Sequence, residues 1–125
     1  MRYTNSMKRY FTLITLAIWT WLTWYLTGVP NLRVTPDSFE QFIISKGGHI
    51  VFFGIEGLLL YLTLTAKEKY RYVVAIIGAS LFGAATELHQ MFVMGRHPDP
   101  RDWALDTLSA LLFVCILRRY NKFAN

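Results

Sequence analysis

The sequence of 125 residues is 54% hydrophobic and has a formal net charge of +5. Its charged residues are unevenly distributed, and none occurs from Tyr10 to Leu32, a stretch longer than the roughly 20 residues that span a bilayer core. Two more uncharged runs, at 72–86 and 107–117, lack the polar face that helices of a small soluble domain present to water. The pattern excludes a soluble globular domain and predicts a single integral membrane domain over residues 1–125.

The predicted fold is all-α, with four transmembrane helices and a short interfacial helix between the first two. The first helix is predicted to be retained rather than cleaved as a secretion signal, because its apolar stretch exceeds the usual ~7–15 residues and no small-residue cleavage site follows. Asp37 and Glu40 have the spacing of a capping box, and Asp37 is predicted to open the short helix. The predicted spans cover about 10–26, 46–66, 72–94 and 102–117, the last with Asp102 as its N-cap.

The orientation in the membrane follows from the distribution of lysine and arginine. With four spans, the two termini and the turn at 67–71 share one side, and that side holds nine of the 13 basic residues. The positive-inside rule therefore predicts a multi-pass protein of the cell membrane with both termini in the cytoplasm. Since the net positive charge is explained by topology, no nucleic-acid partner is expected.

Ionisable residues near the outer ends of three helices are predicted to converge. A charge in the bilayer costs a few kcal/mol or more, so such groups face the bundle interior and pair with one another. Arg96 and Arg101 flank the last loop, and their guanidinium groups suit phosphate or carboxylate. Glu56 lies closer to mid-membrane and has no obvious partner. The residues of the predicted site are Lys46, His49, Glu87, Gln90, Arg96, Arg101, Asp102 and Asp106.

Three motifs in order over residues 45–113 carry a family resemblance. The run Ser45-Lys46-Gly47-Gly48-His49, with Phe53 four residues later, resembles the Asp-Lys-x-x-His-x-x-x-Phe motif of VanZ-like membrane proteins. Glu87-Leu88-His89-Gln90-Met91-Phe92 is similar to the Glu-x-x-Gln-x-Phe motif of that family. Gly95-Arg96, Asp102 and Asp106-Thr107-Leu108-Ser109 resemble its Gly-Arg, Asp and Asn-Thr-Leu-Gly ending.

The chain departs from the motifs of the family at three positions. Ser45 replaces the usual aspartate, Asp106 the usual asparagine and Ser109 the usual glycine, so Asp106 adds a carboxylate where the family has an amide. The family takes its name from a protein associated with resistance to the glycopeptide antibiotic teicoplanin. The resemblance implies a role at the bacterial cell envelope and does not supply a reaction.

The main functional hypothesis is an outward-facing site that binds an anionic lipid-linked, glycolipid or peptidoglycan-related ligand, with an effect on glycopeptide susceptibility. Lys46, Arg96 and Arg101 would form its cationic side. Two alternatives remain open. One is a membrane enzyme that modifies such a lipid, with His49 and Glu87 as its proton-transfer groups and candidate catalytic residues. The other is a structural subunit of a larger membrane complex, in which the polar cluster only holds the helices together.

No metal and no cofactor are predicted. His-x-x-x-His and Glu-x-x-His pairs are absent from the predicted helices, and Lys46 next to His49 would repel a cation. Neither Ser45 nor Ser109 lies in a Gly-x-Ser-x-Gly turn, so no nucleophile is identified. The expected partners are membrane lipid and the lipid-linked or glycolipid ligand, and the sequence does not predict an oligomeric state.

Overall fold

The computed structural model describes residues 2–30, 32–33, 35–65 and 68–123. This part of the chain contains four α-helices and no β-strand, which confirms the all-α prediction. In chain order the helices are α1 (Arg2–Thr27), α2 (Ser38–Thr63), α3 (Glu68–Gln90) and α4 (Pro100–Phe123).

Two of the described helices are long and apolar enough to cross a membrane. They are α2, over Ser38–Thr63, and the Lys69–Gln90 part of α3. The composition of α1 and α4 does not meet the same test, so the predicted total of four transmembrane helices is supported for two and stays a prediction for the others.

The start of α2 confirms the predicted N-cap and corrects the predicted interfacial helix. The Asp37 carboxylate accepts hydrogen bonds from the backbone N–H groups of Phe39 and Glu40, each at 2.9 Å. The helix that it caps continues without a break to Thr63, so a separate short helix does not form. Gly47 and Gly48 lie at the expected junction, but each costs a helix only about 1 kcal/mol, and no proline removes a hydrogen bond there.

The ends of the loop between α3 and α4 also differ from the prediction. α3 ends at Gln90 rather than Met94, because the next N–H groups bond to carbonyls three residues back and Gly95 turns the chain with a φ of 75°. Asp99, not Asp102, caps α4, and its carboxylate accepts the Arg101 N–H at 2.9 Å. Pro100 explains the shift, since proline is favoured at the first position of a helix. The Asp102 carboxylate is thereby free to contact another helix.

The exterior of the bundle is apolar and its interior contains ionisable groups. Phe11, Leu81 and Ile116, from α1, α3 and α4, are 73%, 66% and 59% exposed. Glu56 and Asp106 are 2% and 0% exposed. This distribution is the reverse of that in a soluble protein and is typical of helices surrounded by lipid.

Small residues set the close approach of the helices around α2, which contacts α1, α3 and α4. A Cβ atom added at Gly57 of α2 would lie 2.8 Å from the Cβ of Ala110 on α4. One added at Gly83 of α3 would lie 3.2 Å from the Cβ of Asp106. Glycines and other small residues commonly allow membrane helices to approach this closely. They bring the fully buried Asp106 of α4 directly against α3.

Candidate functional site

Lys46 of α2 and Asp102 of α4 form the outer pair of the polar cluster. The Lys46 Nζ atom forms a salt bridge with Oδ1 of Asp102, and the two side chains are 27% and 15% exposed. Lys46 also lies over the ring of Phe42, 5.6 Å from its centroid. The pair joins the N-terminal half of α2 to the first turn of α4, and both residues belong to the predicted site.

His49 lies one turn deeper, against the same face of α4. Its Nδ1 atom is 2.7 Å from Oδ1 of Asp106, and its Nε2 atom is 3.5 Å from Oδ2 of Asp102. The two aspartates are four residues apart, a spacing that places them on one face of a helix. The imidazole is therefore held between two carboxylates, and in one tautomer it donates its Nδ1–H to Asp106.

Glu87 completes the cluster from α3. Its side chain is 7% exposed, and its Oε2 atom accepts the backbone N–H of Asp99 at 2.8 Å. Atoms that could ligate a metal, one from each of His49, Glu87 and Asp106, all lie within 4.8 Å of one another. Three helices thus bring an imidazole and two buried carboxyl groups together, as the prediction of convergence required.

Two carboxylate oxygens of this cluster have no hydrogen-bond partner among the described residues. They are Oε1 of Glu87 and Oδ2 of Asp106, and both are fully buried atoms. A buried polar atom without a partner costs about 1–3 kcal/mol, so most such atoms in native proteins are satisfied. A cation or a donor group of a ligand would satisfy them.

Arg96 and Gln90 lie on the side of His49 that faces α1. The Arg96 guanidinium donates from Nε to the Val29 carbonyl at 3.2 Å and from Nη2 to the Leu26 carbonyl at 3.3 Å. Burial lowers the pKa of Arg96 below its ordinary value, while the negative charge of Glu87 acts in the opposite direction. Arg96 therefore ties the loop before α4 to the C-terminal end of α1, where a cation is also favoured by the helix dipole.

Arg101 stands apart from the other predicted site residues, because it neither belongs to the polar cluster nor lines the cavity beside His49, as Gln90 and Arg96 do. Its side chain is exposed, and in the described ranges it forms no hydrogen bond or salt bridge with the other site residues.

A cavity of about 320 Å³ opens beside the cluster, between α1, α2 and the end of α3. Its walls are mainly apolar, and they include Leu26, Ile44 and Phe52. Its polar lining residues include His49, Gln90 and Arg96, besides Thr23, Thr27, Gln41 and Ser45. His49 therefore belongs to both the cavity and the cluster, and it is the link between them.

The sequence interpretation missed two partners of buried carboxyl groups. Asp99 binds Glu87 through its backbone N–H, and a backbone group carries no sequence signal. Thr20 of α1 donates to Oε1 of Glu56 at 2.8 Å. Glu56 had no visible partner in the sequence, because Thr20 lies on another helix and threonine is common in membrane helices.

The fold and the cluster together define a class of helical membrane proteins, in which an apolar exterior surrounds ionisable groups from several helices. Within that class, the chain belongs to the VanZ/LLP1 family, whose model matches residues 4–121. The match covers nearly the whole chain and confirms the resemblance seen in the motifs. No curated protein and no solved structure shows significant similarity to the chain.

Proposed function

We propose that this protein is a multi-pass protein of the bacterial cell envelope that binds an anionic lipid-linked, glycolipid or peptidoglycan-related ligand. The single observation that carries the proposal is the shape and chemistry of the cavity. Its lining is mainly apolar, with Leu26, Ile44 and Phe52, and also carries polar side chains that include His49, Gln90 and Arg96. A mainly apolar pocket with a few polar groups suits an amphiphilic ligand, such as an acyl or prenyl chain on a polar headgroup.

The polar lining residues offer donors to an anionic headgroup. Arg96 has five N–H donors, of which two bind carbonyls of the α1 end, and Gln90 adds an amide. The carboxylates behind His49 hold the imidazole in one orientation, so its position does not depend on the ligand. In this proposal Lys46, Glu87, Asp102 and Asp106 position the site, and Arg101 attracts the anion from the exposed start of α4.

Two adjacent glycines of α2 allow a matched test. Gly48 lines the cavity and Gly47 does not, and a Cβ added at either one would have no neighbour within 4 Å. Leucine at either position removes a glycine from a helix, which favours the helix by up to about 1 kcal/mol. The two variants therefore differ mainly in whether the new side chain occupies the cavity.

The assay is mass spectrometry of lipids that stay bound after gentle purification of the full chain. We expect the wild type and Gly47→Leu to be enriched in anionic amphiphiles relative to the bulk membrane. Gly48→Leu should reduce that enrichment by about 10-fold, the effect of losing roughly 1.4 kcal/mol of binding free energy. Equal enrichment in both variants, or bulk lipid composition in the wild type, would contradict the proposal.

The proposed orientation places both termini in the cytoplasm, supported by the nine basic residues of that side among 13. The cluster and the cavity mouth then belong to the outer leaflet, where peptidoglycan precursors are used. A change in teicoplanin susceptibility on loss of the protein would follow from altered handling of such a precursor. Comparison of a deletion strain with one complemented by Gly48→Leu links that phenotype to the cavity.

Acid–base catalysis on a membrane lipid is the second candidate function. The observation that favours it is the 2.7 Å contact of His49 Nδ1 with Asp106 Oδ1, because a carboxylate that orients an imidazole is a common arrangement in general bases. Glu87 is the second proton-transfer group of this hypothesis. Conversion of a bound lipid over time, lost in His49→Gln, would favour the enzyme, whereas retention of unchanged lipid favours the binding protein.

A further inference from the structure

The group formed by His49, Glu87 and Asp106 has the composition and spacing of a metal site. From these contacts we infer that the three residues bind one divalent cation between α2, α3 and α4, of the class of Zn²⁺ and related first-row metals. One potential ligand atom from each residue lies within 4.8 Å of the other two. Modest side-chain movement brings such atoms to the ~2.0–2.2 Å bonds that Zn²⁺ forms with imidazole nitrogen and carboxylate oxygen.

The unpartnered oxygens supply the independent observation that points to a ligand. Glu87 and Asp106 are more than nine-tenths buried, and each has one buried oxygen without a hydrogen-bond partner in the described part of the chain. A Cβ added at Gly83 would lie 3.1 Å from Oδ2 of Asp106, so this oxygen faces α3. Glu87 follows Gly83 by four residues and lies on the same face of that helix. Both free oxygens are thus available to an ion between α3 and α4.

The orientation of His49 is also suitable for metal binding. Its Nδ1 atom is 2.7 Å from Oδ1 of Asp106, so an ion that replaces the Nδ1 proton lies between this nitrogen and the Asp106 carboxylate. Metal-binding histidines typically donate their other ring N–H to a carboxylate or a carbonyl. Oδ2 of Asp102 lies 3.5 Å from Nε2, within reach of that N–H after a small movement. Asp102 is therefore placed to orient the imidazole, while His49, Glu87 and Asp106 bind the ion.

The local charges favour a cation at this position. Lys46 was expected to repel a cation, but its salt bridge with Asp102 compensates its charge. Arg96 acts electrostatically on Glu87 from the loop, while its hydrogen bonds go to carbonyls at the end of α1. Glu87 and Asp106 then remain as two buried carboxylates beside one imidazole. A divalent ion neutralises both, and the nitrogen ligand favours Zn²⁺-class metals over Mg²⁺ or Ca²⁺.

The inference stands apart from the proposed ligand, because metal binding is measured without lipid. The full chain is purified in detergent, stripped with EDTA and titrated with Zn²⁺, with Mg²⁺ as comparison. We expect one Zn²⁺ per chain and no comparable binding of Mg²⁺. Asp106→Asn and Glu87→Gln should each weaken Zn²⁺ binding by at least about 10-fold, since even outer-shell changes have effects of this size.

Glu56→Gln is the matched control, because Glu56 is a buried carboxyl outside the cluster whose Oε1 accepts from Thr20. It should bind Zn²⁺ like the wild type. A Zn²⁺-dependent rise in the melting temperature should be equal in the wild type and in Glu56→Gln and clearly smaller in the cluster variants at the same Zn²⁺ concentration. Unchanged Zn²⁺ binding in folded Asp106→Asn and Glu87→Gln, or no binding in the wild type, would overturn the inference.

A measurement on the wild type alone covers the case in which the variants do not fold. Co²⁺ replaces Zn²⁺ and reports its ligands by absorption. Nitrogen and oxygen ligands should give weak visible bands without a thiolate charge-transfer band. A strong thiolate band would place the ion at the exposed Cys115 and overturn the assignment to His49, Glu87 and Asp106.

Discussion

Replacement of Glu87 by glutamine tests whether the buried negative charge at this position supports the fold. Oε2 of Glu87 accepts the Asp99 N–H at 2.8 Å, and Oε1 has no partner among the described residues. Glutamine has nearly the same size, and its amide oxygen can keep the bond to Asp99. Its NH₂ group adds a donor to the cluster, where an oxygen of Glu87 and one of Asp106 lie within 4.8 Å of each other and Oδ2 of Asp106 also lacks a partner.

The expected change in the free energy of unfolding follows from these contacts. The Asp99 N–H donates to a carboxylate in the wild type and to a neutral amide oxygen in the variant, and this change lowers the stability by about 1 kcal/mol. Satisfying a buried polar atom recovers about 1–3 kcal/mol. Without metal, we therefore expect Glu87→Gln to be as stable as the wild type or more stable by up to about 2 kcal/mol, a rise of a few °C in melting temperature.

The assay is thermal unfolding in detergent with EDTA, followed by circular dichroism, with Glu87→Ala as the comparison. Alanine leaves the Asp99 N–H without its acceptor and should lower the stability by about 1–3 kcal/mol. At one saturating Zn²⁺ concentration the wild type should gain at least about 1.4 kcal/mol more stability than Glu87→Gln. If Glu87→Gln melts as early as Glu87→Ala in EDTA, the charge itself holds the helices together and the cluster is a structural network.

Two further predictions concern topology and packing. In a Cys115→Ser background, an impermeant thiol reagent applied to intact cells should label a cysteine at Arg33 and not one at Lys69, and the opposite result would invert the proposed orientation. Gly57→Leu should destabilise the bundle by at least about 1 kcal/mol, because its Cβ would lie 2.8 Å from that of Ala110. A Cβ at Gly47 would have no neighbour within 4 Å, so Gly47→Leu should not lower the melting temperature in the same assay.

The local features of the fold could be predicted from the sequence. The Asp37 cap depends on a side chain and N–H groups two and three residues later, so its spacing is visible in the chain. Long uncharged runs predict the helices, since helix hydrogen bonds are local and lipid requires apolar side chains. The members of the cluster could be predicted for the same reason, because ionisable groups in such helices face the interior.

The pairing within the cluster was decided by tertiary packing. The sequence could not indicate that Lys46 pairs with Asp102, or that Glu87 accepts from a backbone N–H in the following loop. These contacts depend on how closely the helices approach at Gly57 and Gly83, which is a property of two surfaces together. The three potential metal ligands come from three helices and have no common sequence spacing. Helical periodicity determined which residues face inward, and only the packing of α2, α3 and α4 determined which of them meet.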